Sequence, residues 1–161
     1  MSLQIPPLVV PEKIHLLSIR LLKGSLGASD AFLGNPRKPA HISFTISHNF
    51  RFHFGEKRCL LGVGFYFEGL DQEKKPLGLT ASYHLDFVLE VENLEVFLSR
   101  EDAEIQVLDI LAATLLGLCI STARGILYER TQGTPFEGII LPVVDPMKVL
   151  RSVDAEAKLP V

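Results

Sequence analysis

HISFTISHNFRFH, residues 41–53, alternates almost without fault. Ile42, Phe44, Ile46, His48, Phe50 and Phe52, with Phe54 beyond them, point one way, and His41, Ser43, Thr45, Ser47, Asn49, Arg51 and His53 point the other. Period two over so many residues means a strand with one buried and one wet face, the habit of antiparallel sheets.

The neighbours of this strand read in the same grammar. Gly55-Glu56-Lys57 is a turn, and Arg58 to Leu70 is a further strand whose middle, Leu60 to Phe67, is apolar on both faces apart from Gly62 and Gly64. Such a strand is covered on two sides or lines something. A charged turn, Asp71 to Lys75 with Pro76, leads to a fourth strand with Leu79, Ala81, Tyr83, Leu85, Phe87 and Leu89 inward and Thr80, Ser82, His84, Asp86 and Glu90 outward. Upstream, residues 13–23 form the first strand, which breaks at Gly24. A long loop follows to Pro39, punctuated by Gly27, Gly34 and Pro36 and carrying Phe32 and Leu33.

From Asn93 the period changes to that of a helix. Ser99 with Asp102 resembles an N-cap box, and Ile105, Leu108, Leu111, Leu115, Leu118, Thr122 and Ile126 recur at three- and four-residue steps. Gly117 marks a kink or a break into two helices, and Gly133 with Pro135 ends the second. Ala113, Gly117 and Ser121 form a small-residue stripe that serves either intrachain packing or an intersubunit contact. Residues 139–146 read as extended, stiffened by Pro142 and Pro146. Strands first and helices afterwards predict an α+β fold, a four-stranded antiparallel sheet followed by two C-terminal helices packed on one face. A single domain over 1–161 is expected, with loose tails at 1–12 and 151–161.

Composition narrows the function. In 161 residues, 47% are hydrophobic, enough for one core, and the net charge of −3 lacks the basic surplus of a nucleic-acid binder. Two cysteines, Cys59 in a strand and Cys119 in a helix, are too few for a disulfide framework or a zinc site and read as buried thiols of a reducing compartment. Pro6, Pro7 and Pro11 near the start do not read as a secretion signal, and the apolar run from Leu108 to Ile120 is shorter than the ~20 residues of a membrane span. A cytoplasmic protein without a membrane span is expected.

Catalysis needs converging titratable groups, and they are scarce. His84 and Asp86 share a strand face without a nucleophile in the local sequence; His41 and His53 share one too but lie too far apart to hold a metal. His48 sits among phenylalanines, where a neutral, hydrogen-bonded core histidine is the commoner arrangement. Gly62-Val63-Gly64 is not a dinucleotide fingerprint, and no phosphate loop of the Walker type occurs. No catalytic residue, metal site or cofactor is expected. What stands out is more apolar surface than one sheet and two helices can hide, which implies oligomerisation, a ligand groove, or both, although Phe32 and Leu33 could also tuck into the monomer.

The C-terminal half resembles the SecB family of protein-export chaperones. The likeness runs through Tyr83-His84-Leu85-Asp86-Phe87, a helical Ala123-Arg124, Gly133-Thr134-Pro135-Phe136, Ile140-Leu141-Pro142-Val143 and a turn at Asp145; the family has a helical Ala-Arg followed by Gly-Thr-Phe-Pro and Leu-Ala-Pro-Val. Residues 13–80 agree in layout. The resemblance implies an ATP-independent holdase, a tetramer built as a dimer of dimers with helices between sheets, whose grooves hold unfolded polypeptides or preproteins for the SecA motor. Carried over by position, Phe32, Leu33, Ile42, Phe44 and Leu118 become groove candidates. The family's motor-docking surface has an acidic residue where this chain has Thr80 and Ser82, leaving Asp86 and Glu90 as displaced candidates and making a dedicated client, such as an antitoxin, a live variant. An extended client burying ~300 Å² would gain roughly 7 kcal/mol, most of it offset by ordering entropy, so each groove would be weak and repetition across subunits would supply avidity. The competing readings are a hot-dog-type small-molecule binder or thioesterase, which would place its helix before most strands, and a purely structural oligomeric subunit.

Overall fold

The computed structural model describes residues 5–152. Four long strands, β1 (Ile14–Ala28), β2 (His41–His53), β3 (Arg58–Leu70) and β4 (Pro76–Val91), form one antiparallel sheet in the order β1-β4-β3-β2. The α+β architecture is therefore as expected, with the C-terminal helices after the sheet.

Alternation translates directly into facing. Across β2 and β3 the inward pairs are Phe44 with Phe67, Ile46 with Phe65, His48 with Val63 and Phe50 with Leu61. Across β3 and β4 they are Phe67 with Ala81, Val63 with Leu85 and Leu61 with Phe87. Phe67 is the hub: the rings of Phe44, Tyr83 and Phe136 lie 5.0, 5.9 and 6.0 Å away between centroids. Such aromatic contacts add to simple area burial.

Helix α2 (Asp109–Arg130) lies over β3 and seals this face with Leu111, Leu115, Leu116, Cys119, Ile120, Ala123 and Leu127, all buried. At 22 residues it is long and apolar enough to cross a membrane, a length the run from Leu108 to Ile120 understated; half of its most apolar window is buried against the protein. A short α3 (Pro146–Arg151) follows the extended segment, with the Asp145 carboxylate accepting from the Met147 N–H and Pro146 in the first turn.

Several expectations are corrected. β1 does not break at Gly24 but continues to Ala28, because Gly24 pairs with Tyr83 and Gly27 with Thr80 in an unbroken ladder. The long loop shrinks accordingly and contains a helical turn, α1 (Asp30–Gly34), whose N-cap Ser29 accepts from the Phe32 N–H. The helix does not begin near Ser99. Residues 98–107 form a hairpin, β5 (Leu98–Glu101) and β6 (Glu104–Val107), closed by Asp102 and Ala103 with φ of 47° and 69°. Two successive left-handed residues are the signature of a tight two-residue hairpin turn, here made without glycine. So Ile105 is a strand residue and Leu108 is the cap of α2.

Gly117 neither kinks nor breaks the helix. A Cβ there would lie 2.9 Å from Cγ of Pro146, so the glycine lets α3 approach α2; at that position the small-residue stripe serves intrachain packing. Nor is β3 covered on two sides: its outward positions include Gly62, Gly64 and the exposed Tyr66. Of the expected tails, residues 5–10 have no regular structure, Arg151 closes α3, and 1–4 and 153–161 lie outside the described residues.

Candidate functional site

The inner side of the sheet is not covered evenly. On β1, the side chains that face the same way as the β4 core remain open, with Leu16 39%, Ile19 41% and Leu26 46% exposed. Bulges at Leu17 and Leu22 add two further exposed leucines to this edge strand. A helix is ~10 Å across and strands lie ~4.8 Å apart, so one helix shields about two strands and leaves an outer one bare.

The side of α2 turned away from the sheet is also apolar. Ile110, Thr114, Leu118, Ser121, Gly125 and Tyr128 recur at helical spacing and are exposed, with no charge among them. An ordinary surface helix carries charge on that side. Further along, the extended segment exposes Ile140 and Val143 while burying Leu141; Arg124 holds it by donating from Nε to the Leu141 carbonyl (2.8 Å) and from an Nη to the Pro142 carbonyl (3.2 Å).

The five groove candidates fall in different places. Leu33 and Leu118 are exposed, at 62% and 39%, and Ile42 is half-buried. Phe44 is closed inside the core against Phe67. Phe32 is buried too, at the floor of a depression of about 390 Å³ bordered by Pro36, Arg37, Lys38, Thr134, Pro135 and Glu137. That depression joins the crossover segment to the turn after α2, and its chemistry is mixed, with an apolar floor and a charged rim.

Asp86 and Glu90 are on the opposite, outer side of the sheet, and each has a basic neighbour. His84 Nε2 is 3.4 Å from an Asp86 oxygen, and Arg58 Nε is 4.0 Å from one of Glu90. The tertiary structure adds a serine that local sequence could not supply, since Ser47 borders the same depression as His84. Ser47 is on β2 and His84 and Asp86 are on β4, with Gly64 of β3 between them. Ser47 and His84 share no hydrogen bond among the described residues.

His48 donates from Nε2 to the Val149 carbonyl (3.1 Å), tying β2 to α3, and packs edge-on against Phe50. Burial pushes the Cys59 thiol up to about 12, and burial together with the nearby Cys59 does the same for Cys119, so both are poor nucleophiles. Among the described residues, no three His, Cys, Asp or Glu are grouped as a metal site requires.

No family model matches the chain, and no curated protein matches it either. Among solved structures, it is similar to a SecB-like chaperone of Mycobacterium tuberculosis in complex with a ChAD peptide from an antitoxin, with a TM-score of 0.52 and 13% identity over 83% of this chain and 91% of that one. A protein of unknown function from Streptococcus agalactiae gives a TM-score of 0.44 at 11% identity, covering 80% of this chain and 96% of that one. The first likeness is one of fold: the chain has the fold of a SecB-like chaperone.

Proposed function

We propose that this chain is a nucleotide-independent chaperone of the holdase type, acting as a homo-oligomer on apolar segments of non-native polypeptides. The observation that carries this reading is the uncovered inner side of β1, a row of aliphatic side chains continuous with the core and left open at Leu16, Ile19 and Leu26. A contiguous apolar surface of that kind on a single chain marks an interaction site. The uncharged outer stripe of α2 supports it, and so does the fold shared with a chaperone whose structure holds an antitoxin peptide.

Two uses of this surface are compatible. The edge of β1 presents unpaired backbone groups along Ile14–Ala28 and would pair with a second copy, and the α2 stripe would close a dimer of dimers. Apolar side chains left over, with Leu33 and the floor at Phe32, would then take the client. The pairing of Asp86 and Glu90 with basic neighbours speaks for a dedicated client rather than delivery to the SecA motor through that face.

The test is suppression of aggregation. The purified protein, at equimolar subunit and without nucleotide, is expected to lower light scattering from an unrelated denatured protein; unchanged scattering would overturn the reading. Scattering mass should report an oligomer, with a tetramer expected, and a monomer would remove that part. An oligomer that suppresses nothing and binds no apolar dye would instead be a structural subunit whose apolar surface is wholly used by symmetry contacts.

A further inference from the structure

Among the described residues no helix covers the outer side of the sheet, and its side chains form rows across β1, β4, β3 and β2. One row is Arg20, Asp86, Gly62 and Asn49; the next is Lys23, His84, Gly64 and Ser47; the third is Ser25, Ser82, Tyr66 and Thr45. The two glycines leave the middle of β3 bare. A Cβ on Gly64 would run into the Ser47 hydroxyl, and one on Gly62 would lie 3.2 Å from an Asp86 oxygen and 3.3 Å from His84 Nε2. The result is a depression of about 400 Å³ over Gly64, ringed by Lys23, His84 and the hydroxyl side chains Thr45, Ser47, Tyr66 and Ser82. Each can donate a hydrogen bond, and among the described residues no carboxylate lines it.

Charge along the strands of this face runs against that of the chain as a whole. Within the strands Arg20, Lys23, Arg51 and Arg58 face out with Glu68, Asp86 and Glu90, four against three, whereas the whole chain has a net charge of −3; Glu56 and Glu92 add two carboxylates at the end of the face, against Arg58 and His15. Glu90 is engaged by Arg58 and Asp86 by His84. Arg20, Lys23 and Arg51 have no carboxylate within 4.0 Å among the described residues. Arg20 and Arg51 are on opposite edge strands, three strand spacings apart, or ~14 Å. A single small anion cannot reach both, whereas about five residues of extended chain can, at ~3.3 Å each. The exposed side chains of Leu22 and Tyr66 beside the depression offer such a chain apolar shoulders.

We propose that the outer side of the sheet is a docking surface for an acidic polypeptide segment crossing the strands. One carboxylate sits over Gly64 between Lys23, Ser47 and His84, and flanking carboxylates reach Arg20 and Arg51. This surface is on the other side of the sheet from the apolar one and does not depend on it, so an acidic partner and an apolar client could be held together. Complementary charge of this kind sets partner choice and association rate more than bulk affinity.

The probe is a fluorescent decapeptide of alternating Glu and Ser, with alternating Lys and Ser as its control, followed by anisotropy with the full chain at low salt. The Glu peptide is expected to bind, to weaken as salt rises, and to lose at least ten-fold in affinity in the double variant K23E/R51E, whose two sites are exposed. Gly64→Val, which fills the depression without changing charge, should weaken it as well, with circular dichroism reporting its fold. Equal binding of the Lys peptide, or no loss in K23E/R51E, would overturn the proposal. So would inorganic phosphate binding at this face while the Glu peptide fails to displace it, since the site would then serve a small anion.

Discussion

Phe87 and Ile19 are cross-strand partners on the same side of the same sheet, one on β4 and one on β1. Phe87 is fully buried and Ile19 is 41% exposed. Both are apolar and face the same way, although bulges at Leu17 and Leu22 interrupt the alternation of β1; what separates them is a single helix too narrow to cover both. Period two tells which way a side chain faces, and only the layer above tells whether anything meets it there.

The largest expected effect tests the covered member of this pair. Phe87→Ala should cost about 4 kcal/mol of stability in urea unfolding, within the range for aromatic truncation in a closed core. A loss under about 1 kcal/mol would mean that α2 does not seal β4 in solution.

Next is Gly117→Leu, which puts a side chain where Pro146 packs. Overpacking of this sort costs about 2 kcal/mol, and detachment of α3 should also free the amide of Val149 to exchange with deuterium faster than that of Leu116. Unchanged exchange and stability would show that α3 is seated elsewhere.

A smaller effect follows from the thiols beneath α2. The folded pKa of Cys59 is raised from 9.0 to about 12 by burial, so the unfolded chain releases that proton first. The stability attached to it is complete below pH 9.0 and is lost as pH rises toward about 12. In a Cys119→Ala background Cys59 should contribute a slope of about 1.4 kcal/mol per pH unit above 9, and Cys59→Ala should remove that contribution, leaving the loss at higher pH that comes from Tyr83, whose pKa burial also raises. A flat profile with Cys59 intact would mean that solvent reaches the space under the helix.

The smallest effect belongs to the uncovered partner. Ile19→Ala should cost about 1 kcal/mol in dilute protein, well below a core truncation, since 41% of its surface stays in water in the single chain. A cost that grows with protein concentration would show that a second copy covers β1, as the proposed oligomer requires; a full core-sized cost independent of concentration would break the comparison itself.

Much of the sheet is legible because β2 and β4 carry strict alternation and β3 an apolar run, all bounded by turn residues, as at Asp71 to Lys75, where the Asp71 carboxylate accepts from the Glu73 and Lys75 N–H groups. The hairpin at 98–107 was not legible. Its turn uses Asp102 and Ala103 in place of glycine, and Ile105 and Leu108 fall by chance at helical spacing with Leu111 and Leu115. Gly24 and Gly117 misled in the same manner. Each was read as a break, whereas Gly24 lies under the ring of Tyr83 and Gly117 receives Pro146, contacts made by residues 59 and 29 positions further along the chain. Of the five groove candidates, Leu33 and Leu118 stand exposed while Phe32 and Phe44 are buried, and the grouping of Lys23, Ser47 and His84 around Gly64 is invisible in the sequence, since strands far apart in the chain supply it.

By itself the chain's order of residues determined the α+β class, the three strands from His41 to Val91, the facing of their side chains and an excess of apolar surface, because these follow from local period and composition. Only the tertiary structure decided where that excess is left open, at β1 and along the outer stripe of α2, and where donors converge, over Gly64. Coverage and convergence depend on how wide one layer is against another and on which distant strands become neighbours, and neither quantity is written in any local stretch.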